Sequence, residues 1–187
     1  MWQGLRVDDL KPLPDLSEST GFTTNDQNEV IADLQAYPFS GHSFFGSSGT
    51  GKSRFLSCLL QEAILADKDV FYSKMSALIR AIRDNEFGRL PEERWGEIID
   101  ADDLRARDHG RPLYIFLDEI DKIPITDEVF LKVLELFDFI YENSDSAVIS
   151  VCSNLSPESC EGIWGVAVTR RILALTHVHI LACGEGE

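Results

Sequence analysis

Residues 46–53 read Gly-Ser-Ser-Gly-Thr-Gly-Lys-Ser, a complete G-x-x-x-x-G-K-[ST] loop. Such a loop has one workable setting, the end of a buried strand followed directly by a helix. Its glycines curl the backbone until successive N–H groups face one concavity at the helix N-terminus. Both flanks fit. His42-Ser43-Phe44-Phe45 suits a short buried strand, and Arg54 to Ala66 carries Phe55, Leu56, Leu59, Leu60, Ala63 and Ile64 at helical spacing. The concavity suits nucleotide phosphates. Gly46, Ser47, Ser48, Gly49, Thr50 and Gly51 would form its wall, Lys52 would reach the β- and γ-phosphates, and Ser53 would place a hydroxyl on Mg²⁺.

A second segment supplies the acids. Leu113 to Asp121 reads Leu-Tyr-Ile-Phe-Leu-Asp-Glu-Ile-Asp. The unbroken apolar run suits a central parallel strand buried on both faces. It ends in Asp118-Glu119 at the C-terminal edge, where open α/β sheets place their ligands. Asp118 reads as the Walker B acid, holding Mg²⁺ directly or through its water. Glu119 reads as the base that orients and polarises the attacking water. Asp121 reads as a solvated or helix-capping charge.

The 187 residues fit one α/β domain, and 44% hydrophobic content supplies its core. Residues 1–24, with Pro12, Pro14 and Gly21, read as a flexible arm, and residues 25–187 as the P-loop domain. Helices are predicted over Asn25–Ala36, Ser76–Arg83, Pro91 to about Arg107, and Asp127–Glu142. Two short ones follow, Pro157–Trp164 and Val166–Arg171, with Gly110-Arg111-Pro112 a break before the acid-bearing strand. Further strands are predicted over Asp69–Tyr72, Ala147–Cys152 and Val178–Cys183. The alternation argues for a doubly wound parallel sheet of five strands.

Cys58, Cys152, Cys160 and Cys183 form no C-x-x-C pair and read as reduced, largely buried thiols. The four histidines show no ligand spacing, although His177 and His179 share a face of their strand. A net charge of −15 repels phosphate backbones, so strong autonomous DNA binding is disfavoured. There is no membrane-length apolar run and no signal-peptide pattern, which makes a cytoplasmic protein the expectation.

The order of P-loop, Asp-Glu strand, polar-ended strand and then Thr169-Arg170-Arg171-Ile172 resembles the AAA+ ATPases. Within them it is most similar to the compact DnaC/IstB branch of helicase loaders and transposition helper ATPases. The similarity spans roughly residues 22–184. It implies ATP and Mg²⁺ as ligands, and ATP over GTP; no Asn-Lys-x-Asp guanine-reading motif is present. It also implies that Asn154 sits at the sensor-1 position, reading the γ-phosphate or orienting water. Arg171, or failing it Arg170, would be an arginine finger reaching a neighbouring subunit's nucleotide. The tail Gly184-Glu185-Gly186-Glu187 leaves no room for a full helical lid, as in the compact branch, and holds no sensor-2 arginine.

The expected function is thus an oligomerising ATPase whose client is a replicative helicase or another AAA+ partner. Three other readings compete. A transposition helper would coat DNA and need a basic surface. A small-molecule P-loop kinase would need an acceptor pocket and an arginine-bearing lid. A nucleotide-gated interaction module would turn over negligibly.

Overall fold

The computed structural model describes residues 6–11, 24–83, 112–122 and 126–181. The expected helix from Pro91 to Arg107, the break at Gly110-Arg111, Cys183 and the C-terminal tail lie outside these residues. A helix α1 (Thr24–Ala36) precedes β1 (His42–Gly46) and α2 (Lys52–Leu65). Then come β2 (Asp69–Lys74), α3 (Met75–Arg83) and β3 (Leu113–Asp118). The chain continues through α4 (Asp127–Glu142), β4 (Ala147–Ser153), α5 (Pro157–Leu175) and β5 (His177–Leu181).

The five strands form one parallel sheet in the order β2-β3-β4-β1-β5. The inner strands β1 and β3 are buried along their whole length, whereas the edge strands β2 and β5 alternate in exposure. Both faces of the sheet are therefore covered, as parallel pairing requires. Successive residues feed opposite cores. Leu113, Ile115 and Leu117 pack with Val133, Phe137 and Trp164 under α4 and α5. Tyr114 and Phe116 pack on the other face with Phe44, Phe55 and Leu34, under α1 and α2. Among the described residues no helix is long and apolar enough to cross a membrane.

Local signals account for the helix ends. Thr126 caps α4 by accepting from the Val129 N–H, and Ser156 caps α5 from Ser159 N–H with Pro157 at its first turn. The two short helices expected after β4 are one span broken at Gly165, whose φ of 71° and ψ of 162° suit only glycine. The second half runs on to Leu175, past the expected end at Arg171. A Cβ at Gly165 would also meet Phe130 Cζ at 3.4 Å. Gly165→Ala is expected to cost about 1–3 kcal/mol in denaturant unfolding. An unchanged midpoint would mean that α5 straightens without penalty.

Residues 6–11 of the expected arm are anchored, which corrects that part of the reading. Val7 and Leu10 are buried in the second core. Arg6 Nε and a terminal nitrogen each donate to a Glu62 carboxylate oxygen at 2.6 Å, and the Val7 N–H donates to Glu62 at 3.0 Å. A bidentate guanidinium–carboxylate pair on a buried glutamate, with two apolar anchors, holds a segment that composition alone reads as loose.

Candidate functional site

The P-loop turns between β1 and α2 as its sequence requires. Gly46, Gly49 and Gly51 take positive φ values of 143°, 90° and 94°. At Gly46 the need is also one of space, since a Cβ there would lie 1.9 Å from the Leu181 carbonyl oxygen on β5. No side chain caps α2, and its first residues, Lys52 and Ser53, line the cleft. Lys52 is buried and donates to the carbonyls of Gly46 and Ser47 at 2.7 and 2.6 Å. Thr50 closes the loop from the other side, its hydroxyl donating to Ser47 O at 3.0 Å.

The two residues expected on Mg²⁺ meet. Ser53 Oγ lies 3.3 Å from Asp118 Oδ1, across 65 residues of sequence. Burial raises the Asp118 carboxyl above its ordinary range and Glu119's charge adds to this, while the Glu119 N–H and Ser53 hydroxyl oppose it. A divalent cation beside it would reverse that balance. The donor set of one hydroxyl and one carboxylate, with room for water and phosphate oxygens, is the chemistry Mg²⁺ takes.

Glu119 stands next to Asp118 in a strained backbone, with φ of 54° in a residue other than glycine. Two contacts force that turn. The Ile120 N–H donates to Cys152 O at 2.9 Å, and the buried Trp164 indole N–H donates to Ile120 O at 2.9 Å. Glu119's oxygens are both engaged, one by Lys122 at 2.7 Å and the other by Lys74, at the end of β2, at 3.1 Å. The Lys122 hydrogen bond, then that of Lys74, holds its carboxyl below the usual glutamate range against partial burial. Sequence reasoning missed both lysines. The signal was a strand expected to end at Tyr72; it runs to Lys74, whose register partner is Asp118.

Asn154 follows the end of β4 and faces the same cleft. Its backbone N–H and side-chain amide donate to the two oxygens of Asp121 at 2.8 and 3.2 Å. Asp121, expected as a solvated or helix-capping charge, is half-buried and holds the end of β4 rather than a helix. The tight turn after β3 swings its carboxylate onto the end of β4, where it orients the amide. A cleft of about 290 Å³ is lined by Ser48, Lys52, Ser53, Asp118, Glu119 and Asn154 among others. Arg171 does not line it. It lies on α5, its guanidinium paired with Asp138 of α4 and donating to Ala167 O at 3.0 Å, while Arg170 is exposed.

Cys58, Cys152 and Cys160 are buried free thiols. The histidines differ from expectation. His42, His177 and His179 converge with Asp33, because β5 pairs with β1 and brings distant residues onto one face under α1.

An inner strand β1 carrying a P-loop, with the acid-bearing β3 two positions away, gives a parallel α/β fold of the P-loop kind. Known structures agree. The chain superposes on the DnaC helicase loader with a TM-score of 0.68 at 14% identity, covering 96% of this chain and 97% of that one. For DnaI the TM-score is 0.66 at 13% identity, with 96% and 88% covered. For AMPPCP-bound DnaA from Aquifex aeolicus it is 0.66 at 13%, with 94% of this chain but 49% of DnaA covered. No family model matches the sequence. No curated protein matches it by sequence either. At these identities the likeness establishes the fold.

Proposed function

We propose that the chain is an ATP-binding and ATP-hydrolysing AAA+ protein that works as a helicase-loading or replication-associated assembly factor. The observation carrying the enzymatic part is the convergence of Lys52, Ser53, Asp118, Glu119 and Asn154 on one cleft. The P-loop amides and Lys52 would bind the phosphates, and Ser53 and Asp118 would hold Mg²⁺. The ion's part is to neutralise charge on the phosphate oxygens. Glu119 would orient the attacking water and take its proton. It does so once phosphate charge draws Lys122 or Lys74 away and frees an oxygen. Asn154, steadied by Asp121, would hydrogen-bond the γ-phosphate or that water. The near-complete mutual coverage with the DnaC loader supports a compact core of the same kind.

Arg171 has no access to its own cleft, which suits a residue acting on a neighbour's nucleotide. In that role it must leave Asp138 on assembly. Arg171→Ala is expected to lower turnover about tenfold at concentrations where the chain self-associates, the worth of one charge-assisted hydrogen bond, with monomer nucleotide affinity intact. Equal losses in both measurements would make the arginine structural. The partner is tested by particle mass in solution with the source's replicative helicase, under ATP, ADP and no nucleotide. A complex whose stoichiometry follows ATP is expected. Intact hydrolysis without a complex in any state would move the client elsewhere.

One observation favours a second reading, a nucleotide-gated module with negligible turnover. Both Glu119 oxygens are already occupied by lysines.

A further inference from the structure

The nucleotide chemistry leaves the histidine cluster unused. His42 opens β1, and the parallel register sets it beside His177, with Phe44 beside His179. All three imidazoles therefore project from the sheet face that α1 covers. Asp33 descends from α1 onto them. Its Oδ2 lies 3.2 Å from His177 Nδ1, 3.4 Å from His179 Nε2 and 3.8 Å from His42 Nδ1. His42 Nδ1 and His179 Nε2 are 3.0 Å apart. Ligand atoms on bonds of about 2.0–2.1 Å around a tetrahedral centre stand about 3.3 Å from each other; the Asp33–His177 spacing of 3.2 Å matches that edge and the Asp33–His42 spacing of 3.8 Å is somewhat longer. One ligand atom each of Asp33, His42 and His177 lies within 4.8 Å of the others, and His179 stands outside that set as a neighbour of His42.

The tautomer of His42 is set from behind. Its Nε2 lies 2.9 Å from the Tyr37 carbonyl, so Nε2–H donates there and the Nδ1 lone pair faces the cluster. This is the backing that metal-ligating histidines receive from a carbonyl. Burial lowers His42 below the ordinary histidine value and takes His179 down to about 4, so both rings are neutral near pH 7 and keep lone pairs to donate. A groove of about 400 Å³ between α1 and β5, with Asp26 and Glu29 on its rim, gives a cation an acidic approach.

We propose that Asp33, His42 and His177 bind one divalent transition-metal ion of the Zn²⁺ type, through Asp33 Oδ2 and the two Nδ1 atoms, fastening α1 to β1 and β5. Two imidazoles and one carboxylate are borderline donors that suit Zn²⁺; Mg²⁺ and Ca²⁺ favour all-oxygen sets. Three protein ligands leave the fourth position to water. The protons balance without a net release. The Nδ1 proton that His177 directs at Asp33 moves to its Nε2, and the Nε2 proton that His179 directs at His42 moves to its Nδ1.

The test is titration of the full chain with Co²⁺, and calorimetry with Zn²⁺, both under excess Mg²⁺ to fill the Ser53–Asp118 position. One equivalent of Co²⁺ is expected, with the strong visible bands of tetrahedral coordination and no sulfur charge-transfer band. His177→Ala changes a partly exposed ring and spares the core; it is expected to weaken binding at least about tenfold, as is Asp33→Asn, with unaltered circular dichroism. The proposal is overturned by absence of binding, by loss of the signal under Mg²⁺, by a thiolate band, or by affinity that survives both substitutions.

Discussion

Glu119→Gln is expected to cut ATP turnover by about 10²–10⁴-fold while leaving ATP affinity unchanged, the range spanned by a positioned general base. The amide keeps the size of the side chain but cannot take a proton from water. The backbone tolerates the change, because the turn at Glu119 is fixed by Ile120 and Trp164 rather than by the carboxylate. The ion pairs lost to Lys74 and Lys122 have half-exposed ammonium partners, so folding stability changes little. Phosphate release and fluorescent-nucleotide titration on the same preparation read the two effects separately. Wild-type turnover in the variant would remove Glu119 from the chemistry. A wild-type chain that binds ATP and releases no phosphate, matched by the variant, would favour the gated-module reading.

Lys52→Ala is expected to weaken nucleotide binding by about 100-fold, since hydrogen bonds to charged groups contribute roughly 1.5–3 kcal/mol each and this ammonium would make more than one. In the structure it rests on the Gly46 and Ser47 carbonyls. Phosphate oxygens carry far more charge than those carbonyls and would draw it forward. The loop's turn is set by its glycine φ values, so the variant is expected to fold, although it loses the lysine's bonds to the Gly46 and Ser47 carbonyls. Titration with labelled ATP decides the matter: undiminished affinity in a folded variant would detach this loop from phosphate binding.

Features carried by contiguous residues were legible in the sequence. The P-loop, the apolar run ending at Asp118 and the helical period of Asp127–Glu142 each encode local geometry, and each stands where expected. The sheet's parallel pairing followed from their alternation. What escaped was set by chain crossing. Lys74 reaches Glu119 because β2 pairs with β3, and Asp121 meets Asn154 because β3 neighbours β4. Asp33 and His177 stand 144 residues apart and touch through the register of β5 on β1. No spacing along the chain carries such contacts. The Arg6–Glu62 pair escaped for the same reason.

That pair has a mechanical consequence. Glu62 lies near the C-terminal end of α2, and Lys52 and Ser53 lie at its start. A helix rises about 1.5 Å per residue, so the two ends of this rod are about 15 Å apart. The Arg6–Glu62 pair therefore joins residues 6–11 to the end of α2 opposite the P-loop. Arg54 adds a second fastening, its guanidinium donating to the Lys11 carbonyl at 2.8 Å directly after the loop. Residues 6–11 are thus fastened to α2 near both of its ends.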